Sequence, residues 1–210
     1  MFYLPYDAQN SPFYTDLDSI YELAKALPWE KVRAPDGTVK RQSCWLTKDC
    51  PCKYKYSNTS WKPKATPDWL KILTQDIVKA TGVPMEPHGI NCNLYEGHTQ
   101  YLYFHADNEP ITRTPTENST IISLSIGATR EFRVMRNFAK DHFPLALNSG
   151  DLVIMGGTLQ KFYQHMVAKG TGVSDENGKK LRFNFTWRFI NHEAACHRCD
   201  QRPLAIHHRV

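Results

Sequence analysis

His105, Ala106 and Asp107 set an imidazole and a carboxylate two positions apart. Alternate residues of an extended chain share one side, so both groups can reach a single ion. His165, standing after the apolar stretch 151–155 and the Gly156-Gly157 turn, is the third ligand expected beside them. Two imidazoles and one carboxylate on a single face of an octahedron leave three positions open. Non-haem Fe(II) oxygenases use this arrangement to admit a cosubstrate and oxygen, so Fe(II) is expected over zinc. An H-x-D pair alone is a short motif that also arises by accident. The far end of the chain adds to its weight.

There, Phe183, Phe185, Trp187 and Phe189 alternate with Arg182, Asn184, Thr186 and Arg188, which makes one face of a strand aromatic and the other polar. Arg182, Asn184 and Arg188 can therefore point into one cavity. The cosubstrate 2-oxoglutarate needs a permanent cation for its far carboxylate, and a guanidinium meets a carboxylate with two parallel hydrogen bonds. At a rise near 3.3 Å per residue the two arginine backbones are roughly 20 Å apart, so strand curvature and long side chains are expected to bring their heads together. Taken by itself, the same pattern also fits an exposed polar strand face.

These residues need a scaffold. In the stretch 15–27, Ile20, Leu23, Ala24 and Leu27 recur at helical spacing behind the capping residues Thr15 and Asp16, and Pro28 closes the helix. Thr66-Pro67-Asp68 opens a second helix through Leu70, Leu73 and Ile77, which Gly82 ends. Residues 31–64 lack a steady period and predict hairpins and loops. Beyond Gly82 the segments 90–95, 101–105, 120–126, 131–135, 151–155 and 182–190 read as strands, and 168–180 as a mobile loop. Helices followed by many antiparallel strands predict an α+β fold around a jelly roll.

The chain has 210 residues, enough for one sizeable core, and 26 Lys plus Arg against 21 Asp plus Glu. That balance suits a polyanionic partner without demanding one. The opening residues carry neither a basic leader nor an apolar run, and no segment is long and apolar enough for a membrane span. A soluble intracellular protein, nuclear or cytoplasmic, is expected. Six cysteines without an export signal read as reduced thiols or metal ligands.

Taken in order, the motifs resemble the AlkB family of nucleic-acid demethylases, in its eukaryotic DNA- and RNA-repair branch. Asn93-Leu94-Tyr95 resembles the family's N-x-Y strand, His105-Ala106-Asp107 its metal pair, and 123–127 the core strand that follows. Residues 149–152, Gly156-Gly157 and 160–165 resemble the approach to the third ligand, and Arg182-Phe183-Asn184-Phe185-Thr186-Trp187-Arg188 the closing R-x-N-x-T-x-R. The resemblance implies a double-stranded β-helix with two flanking N-terminal helices and a nucleotide-recognition lid. It implies that His105, Asp107 and His165 hold Fe(II), and that Asn93, Tyr95, Arg182, Asn184 and Arg188 contact 2-oxoglutarate. In that arrangement Arg182 takes the far carboxylate and Arg188 lies nearer the metal.

Glu109 stands where the family places an acid that senses the base edge, and Tyr54-Lys55-Tyr56-Ser57 resembles its lid element, with Asn58 in place of a glycine. Asn tolerates the left-handed conformation better than most residues, so the turn is expected to survive the replacement. Tyr54, Tyr56, Ser57 and Glu109 are thereby implied to bind substrate. The implied organisation is a helical extension over 1–30, a dioxygenase domain over 31–190 with a lid around 40–60, and a Cys/His/Arg-rich tail over 191–210.

The implied reaction is oxidative demethylation of alkylated bases in DNA or RNA, single-stranded or flipped, by a monomer using ascorbate as reductant and releasing formaldehyde, succinate and carbon dioxide. In the tail, Cys196 and Cys199 have the spacing of half a structural zinc site, with His192, His207, Cys50 and Cys52 as conceivable partners. Two other readings stay open. One is a 2-oxoglutarate-dependent hydroxylase acting on a protein or small molecule, and the other a zinc-stabilised nucleic-acid-binding module.

Overall fold

The structure, a computed structural model, describes residues 1–7, 16–48, 53–56, 59–83, 87–108, 120–170, 178 and 180–189, with the main chain alone at positions 55, 56 and 59. Two antiparallel sheets face each other in a jelly roll. The major sheet runs in the order β1 (Phe2–Leu4), β12 (Leu152–Met155), β9 (Ile121–Gly127), β14 (Leu181–Arg188), β7 (Gly89–Glu96), β3 (Val39–Thr47) and β2 (Glu30–Arg33), with β6 (Pro63–Ala65) pairing parallel to β3. The minor sheet is β11 (His142–Leu147), β10 (Arg130–Arg136), β13 (Tyr163–Val167) and β8 (Leu102–His105). A separate ribbon joins β4 (Tyr54–Tyr56) to β5 (Thr59–Trp61).

The aromatic face of β14 meets the two helices. On α1 (Leu17–Lys25), Tyr21 lies edge-on to Phe183 at 5.3 Å; on α2 (Asp68–Thr81), Trp69 lies edge-on to Phe185 at 6.0 Å and Thr74 accepts a 2.8 Å bond from the Trp187 indole. Phe183, Phe185 and Trp187 are fully buried. Truncating one such ring costs about 3–5 kcal/mol, so this face anchors the sheet and leaves its other face free for polar work. Asp16 caps α1 by accepting from the main-chain N–H groups of Asp18 and Ser19. The expected apolar stripe is shifted, because Tyr21 is buried while Leu23 is 44% exposed. On α2 Leu70, Leu73 and Ile77 are buried as the spacing predicts, and Gly82 ends it at φ +63°, a left-handed cap. Of the opening Thr66-Pro67-Asp68, Pro67 occupies the cap position and Asp68 is the first helical residue.

Gly127 shows why glycine is required where β9 turns toward β10. Its φ is +90°, and a Cβ there would sit 2.3 Å from the Leu181 carbonyl and 2.7 Å from the Tyr21 ring. Among the described residues no helix is long and apolar enough to cross a membrane.

Candidate active site

Between the sheets lies a cavity of about 430 Å3, counting the solvent space at its mouth. The major sheet builds one wall. β14 is paired on both sides, so Arg182 lies across from Tyr95, and Asn184 lies between Asn93 and Ser125. Directly opposed residues share a face, so this register turns the whole set inward. Asn93 Oδ1 accepts from Ser43 Oγ at 2.6 Å and Arg41 Nε at 2.9 Å, which orients the amide. Asn184 Nδ2 donates to Ser123 Oγ at 2.8 Å and to the Leu124 carbonyl at 3.0 Å, while Thr186 Oγ1 donates to Asn184 Oδ1 at 3.1 Å.

At one end of the cavity Arg182 is 1% exposed, donates from Nη2 to Ser125 Oγ at 2.9 Å, and lies 5.4 Å over the Tyr95 ring. Its Nε and Nη1 have no hydrogen-bond partner among the described residues. Burial pulls this guanidinium down to about 10, which still leaves it cationic at neutral pH. A buried cation with two unused donors is a seat for a carboxylate. Burial pushes the Tyr95 hydroxyl up, while Arg41, Arg182 and Arg130 pull it back.

At the other end, His105 and His165 are paired across β8 and β13, where the register slips between His165 and Val167. Their rings stand 4.2 Å apart, and Phe132 stacks on His165 at 5.3 Å. Asp107 follows β8 and is held by a 2.8 Å bond from its main-chain N–H to Gln160 Oε1. Its carboxylate lies 3.7 Å from His105 Nε2 and 3.4 Å from His165 Nε2. The Tyr103 carbonyl lies 2.7 Å from His105 Nδ1; a carbonyl can only accept, so Nδ1 carries the proton and Nε2 presents a lone pair. Burial is the first cause, and His165 the second, that push His105 down to about 3, so it stays a neutral ligand. Burial opposes ionisation of Asp107, but Arg188 and the two histidines outweigh it and hold the carboxyl well below its usual range.

The three residues' ligand atoms all lie within 4.8 Å of one another. Acceptors converging this closely repel unless a cation sits among them, so the donor set fits a divalent metal of the Fe(II) type.

Arg188 is placed differently from the expectation that the two arginine heads converge. Its Nη2 lies 2.8 Å from Asp107 Oδ1 and its guanidinium lies 5.8 Å over the Tyr54 ring, whereas Arg182 sits with Ser125 and Tyr95. β14 spans the cavity lengthwise and serves both ends. Tyr54 is fully buried and stacks on Trp45 at 4.6 Å, so its ring supports Arg188 and offers no open face to a substrate. The main chain of Tyr56 pairs with Thr59, but its side chain is outside what is described. Ser57, Glu109, Cys196 and Cys199, with Thr15, Cys50, Cys52, His192 and His207, lie outside the described residues.

Sequence reasoning passed over Ser43, Arg41, Ser123, Ser125 and Gln160 as supporting residues. The alternation Ser123-x-Ser125 in an otherwise apolar strand was the available signal for two of them. It also passed over Arg130, which is 5% exposed, donates to the carbonyls of Gly97 at 3.1 Å, Ala168 at 2.6 Å and Gln100, and lies 5.6 Å from the centroid of the Tyr95 ring.

The sequence matches the 2OG-Fe(II) oxygenase superfamily over residues 18–188. It is 30% identical over 202 residues to the Bos taurus protein named alpha-ketoglutarate-dependent dioxygenase alkB homolog 3, covering 85% of this chain and 64% of that one. It is 28% identical over 185 residues to the Homo sapiens protein of the same name, covering 80% of this chain and 59% of that one. The chain thus spans less than two thirds of the length of these curated relatives. In fold it is similar to the solved structure of OsALKBH1, with a TM-score of 0.62 at 18% identity over 85% of this chain and 94% of that one.

Proposed function

The chain belongs to the 2OG-Fe(II) oxygenase superfamily, and from that premise we propose that it removes alkyl groups oxidatively from bases of DNA or RNA. The observation that carries the reading is the pairing of two features in one cavity: a two-histidine, one-carboxylate triad at one end and a buried guanidinium with unused donors at the other. The named relatives, AlkB homologues, point the same way.

His105, Asp107 and His165 would hold Fe(II), and Arg182 the far carboxylate of 2-oxoglutarate. Asn93, Tyr95 and Asn184 would line the cosubstrate, and Arg188 the metal end. Once bound, iron and 2-oxoglutarate supply oxidation of an N-methyl carbon by oxygen, which yields formaldehyde, succinate and carbon dioxide. The protein's own part is positional. The proton on His105 Nδ1, kept by Tyr103, leaves Nε2 for the metal, and Arg188 keeps Asp107 ionised. Phe132, Met155 and Val167, which line the cavity, would restrict water there.

A base inside a duplex cannot reach this cavity, so the substrate is single-stranded or flipped. Tyr56, Ser57 and Glu109 are assigned to the base, the carboxylate favouring a cationic methylated base that keeps its exocyclic amine. Ascorbate would serve as reductant, and Cys196 and Cys199 as half of a structural zinc site in a tail over 191–210.

The test is mass spectrometry of oligonucleotides carrying 1-methyladenine or 3-methylcytosine after incubation with Fe(II), ascorbate and 2-oxoglutarate. A mass loss of one methylene equivalent, with formaldehyde released, is expected. Steady 2-oxoglutarate decarboxylation with no such loss from DNA or RNA would return the choice to a protein or small-molecule substrate.

A further inference from the structure

Adjoining the cosubstrate cavity at Leu102 and His105, a larger groove of about 730 Å3, again counting the space at its mouth, opens between β2, β3, β5 and β8. Its cations are Arg33, Lys40 and Arg41, its rings include Trp61, Tyr101 and Tyr103, and no carboxylate lines it among the described residues. The floor is firm: Trp61 is 5% exposed and Arg41, bonded to Asn93, is 4% exposed. The rim is open. Arg33 is exposed and braces the β2–β3 hairpin through its bond to the Gly37 carbonyl, Lys40 is half-buried, and Tyr103 is 68% exposed. A main-chain bond from Tyr101 N–H to the Lys40 carbonyl, 3.0 Å, fixes the two walls to each other.

We propose that this groove carries the nucleic-acid strand flanking the target nucleotide, with Arg33 and Lys40 on its phosphates and the Tyr103 ring under a neighbouring base. The proposal rests on the demethylase reading and names its strand-binding surface. Charge and rings together argue for the occupant. Two outward cations match a polyanionic backbone, and an exposed flat ring beside them matches a base, whose π-face stacks whatever its sequence. An acidic peptide would use the cations and leave Tyr103 without a partner. His105 lines both the cavity and the groove, so a strand lying in the groove is led to the metal end of the site.

The experiment is fluorescence anisotropy of a labelled, unmethylated thymidine 12-mer with the full chain over a series of salt concentrations, alongside demethylation of a methylated 12-mer. The double variant Arg33→Ala with Lys40→Met, which keeps the aliphatic stem of the half-buried lysine, should weaken binding about tenfold. It should also lower the slope of log affinity against log salt by about 1.4, since each single-strand phosphate contact contributes about 0.7. Tyr103→Ala should weaken binding with the slope unchanged. Lys79→Ala, an exposed lysine on α2, should change neither, and circular dichroism melts confirm that each variant is folded.

A double variant whose salt slope matches that of Lys79→Ala overturns the groove. So does equal displacement of the 12-mer by an oligoglutamate of the same charge. A chain that binds the 12-mer through these residues yet removes no methyl group overturns the demethylase reading instead and leaves the groove standing.

Discussion

The two ends of the cavity are built by different means. The Arg182 end rests on the central strands of the major sheet, where β14 is paired along its length on both sides, Tyr95 is the direct cross-strand partner of Arg182, and Ser125 lies on the adjacent strand. The metal end lies at strand ends: His105 is the last residue of β8, Asp107 stands beyond it, and the register slips beside His165. Regular pairing gives the buried Arg182 guanidinium a rigid setting whose position follows from register alone. Strand ends and slips give the metal less main-chain support, and side chains such as Gln160, Tyr103 and Arg188 make up the difference. The first end should fail one contact at a time, the second as a unit.

The comparison is most open to attack at Asp107. Asp107→Ala removes the sole anion of the triad, and the buried Arg188 loses its counter-charge. Metal content by mass spectrometry and succinate formation should both fall to background, while the melting curve keeps its cooperative shape. Retention of iron by this variant would show that the histidines suffice and that the ends do not differ as described.

Next in size is Arg182→Ala. Losing the bidentate cation of a buried carboxylate costs about 3–5 kcal/mol, so the 2-oxoglutarate requirement should rise by about two to four orders of magnitude. Metal affinity should stay within a few-fold, because Arg182 makes its contacts with Ser125 and Tyr95. Arg182→Lys should recover only part, since an ammonium lacks the fork. An unchanged cosubstrate titration would move the seat elsewhere.

A smaller effect separates the ends from outside the cavity. Tyr54→Leu withdraws the ring under Arg188, and loss of an outer partner typically costs about 10–100-fold in metal affinity. Calorimetric titration with Mn(II) should show that loss, whereas Tyr54→Phe should keep near-normal affinity. The smallest change is at Ser125→Ala, which removes one bond to Arg182 worth about 0.5–1.5 kcal/mol and should raise the 2-oxoglutarate KM only several-fold with kcat unchanged. A large kcat effect from Ser125→Ala would mean that the rigid seat bears on the metal end after all.

What the sequence disclosed tracks the same division. The alternation in 182–188 is a period-two signal that survives because β14 is extended there, whereas His105 closes β8 and Asp107 stands two residues on, beyond the strand, with its carboxylate still 3.7 Å from the imidazole. β13, which carries His165, follows α3 (Leu159–Phe162) with no turn between them, so no break announced a new strand. β11 contains Pro144, which argues against a strand in sequence but is tolerated because β11 is the edge of the minor sheet. β1 is only three residues long, too short to show a period. The burial of Tyr54 depends on Trp45 and Trp61 meeting it from separate strands, and that is a tertiary fact no local pattern holds.

The contact between Tyr54 and Arg188 also ties the β4–β5 ribbon to the metal by linkage. Tyr54 belongs to the ribbon, Arg188 lies over its ring, and the same guanidinium pairs with Asp107. Two binding events that share one buried cation would obey reciprocity: whatever factor metal occupancy applied to the ribbon's hold on a ligand, a ligand on the ribbon would apply to the hold on metal. If the proposed nucleic-acid substrate engages the ribbon, metal affinity measured with and without it would report that engagement in the same units as direct binding does.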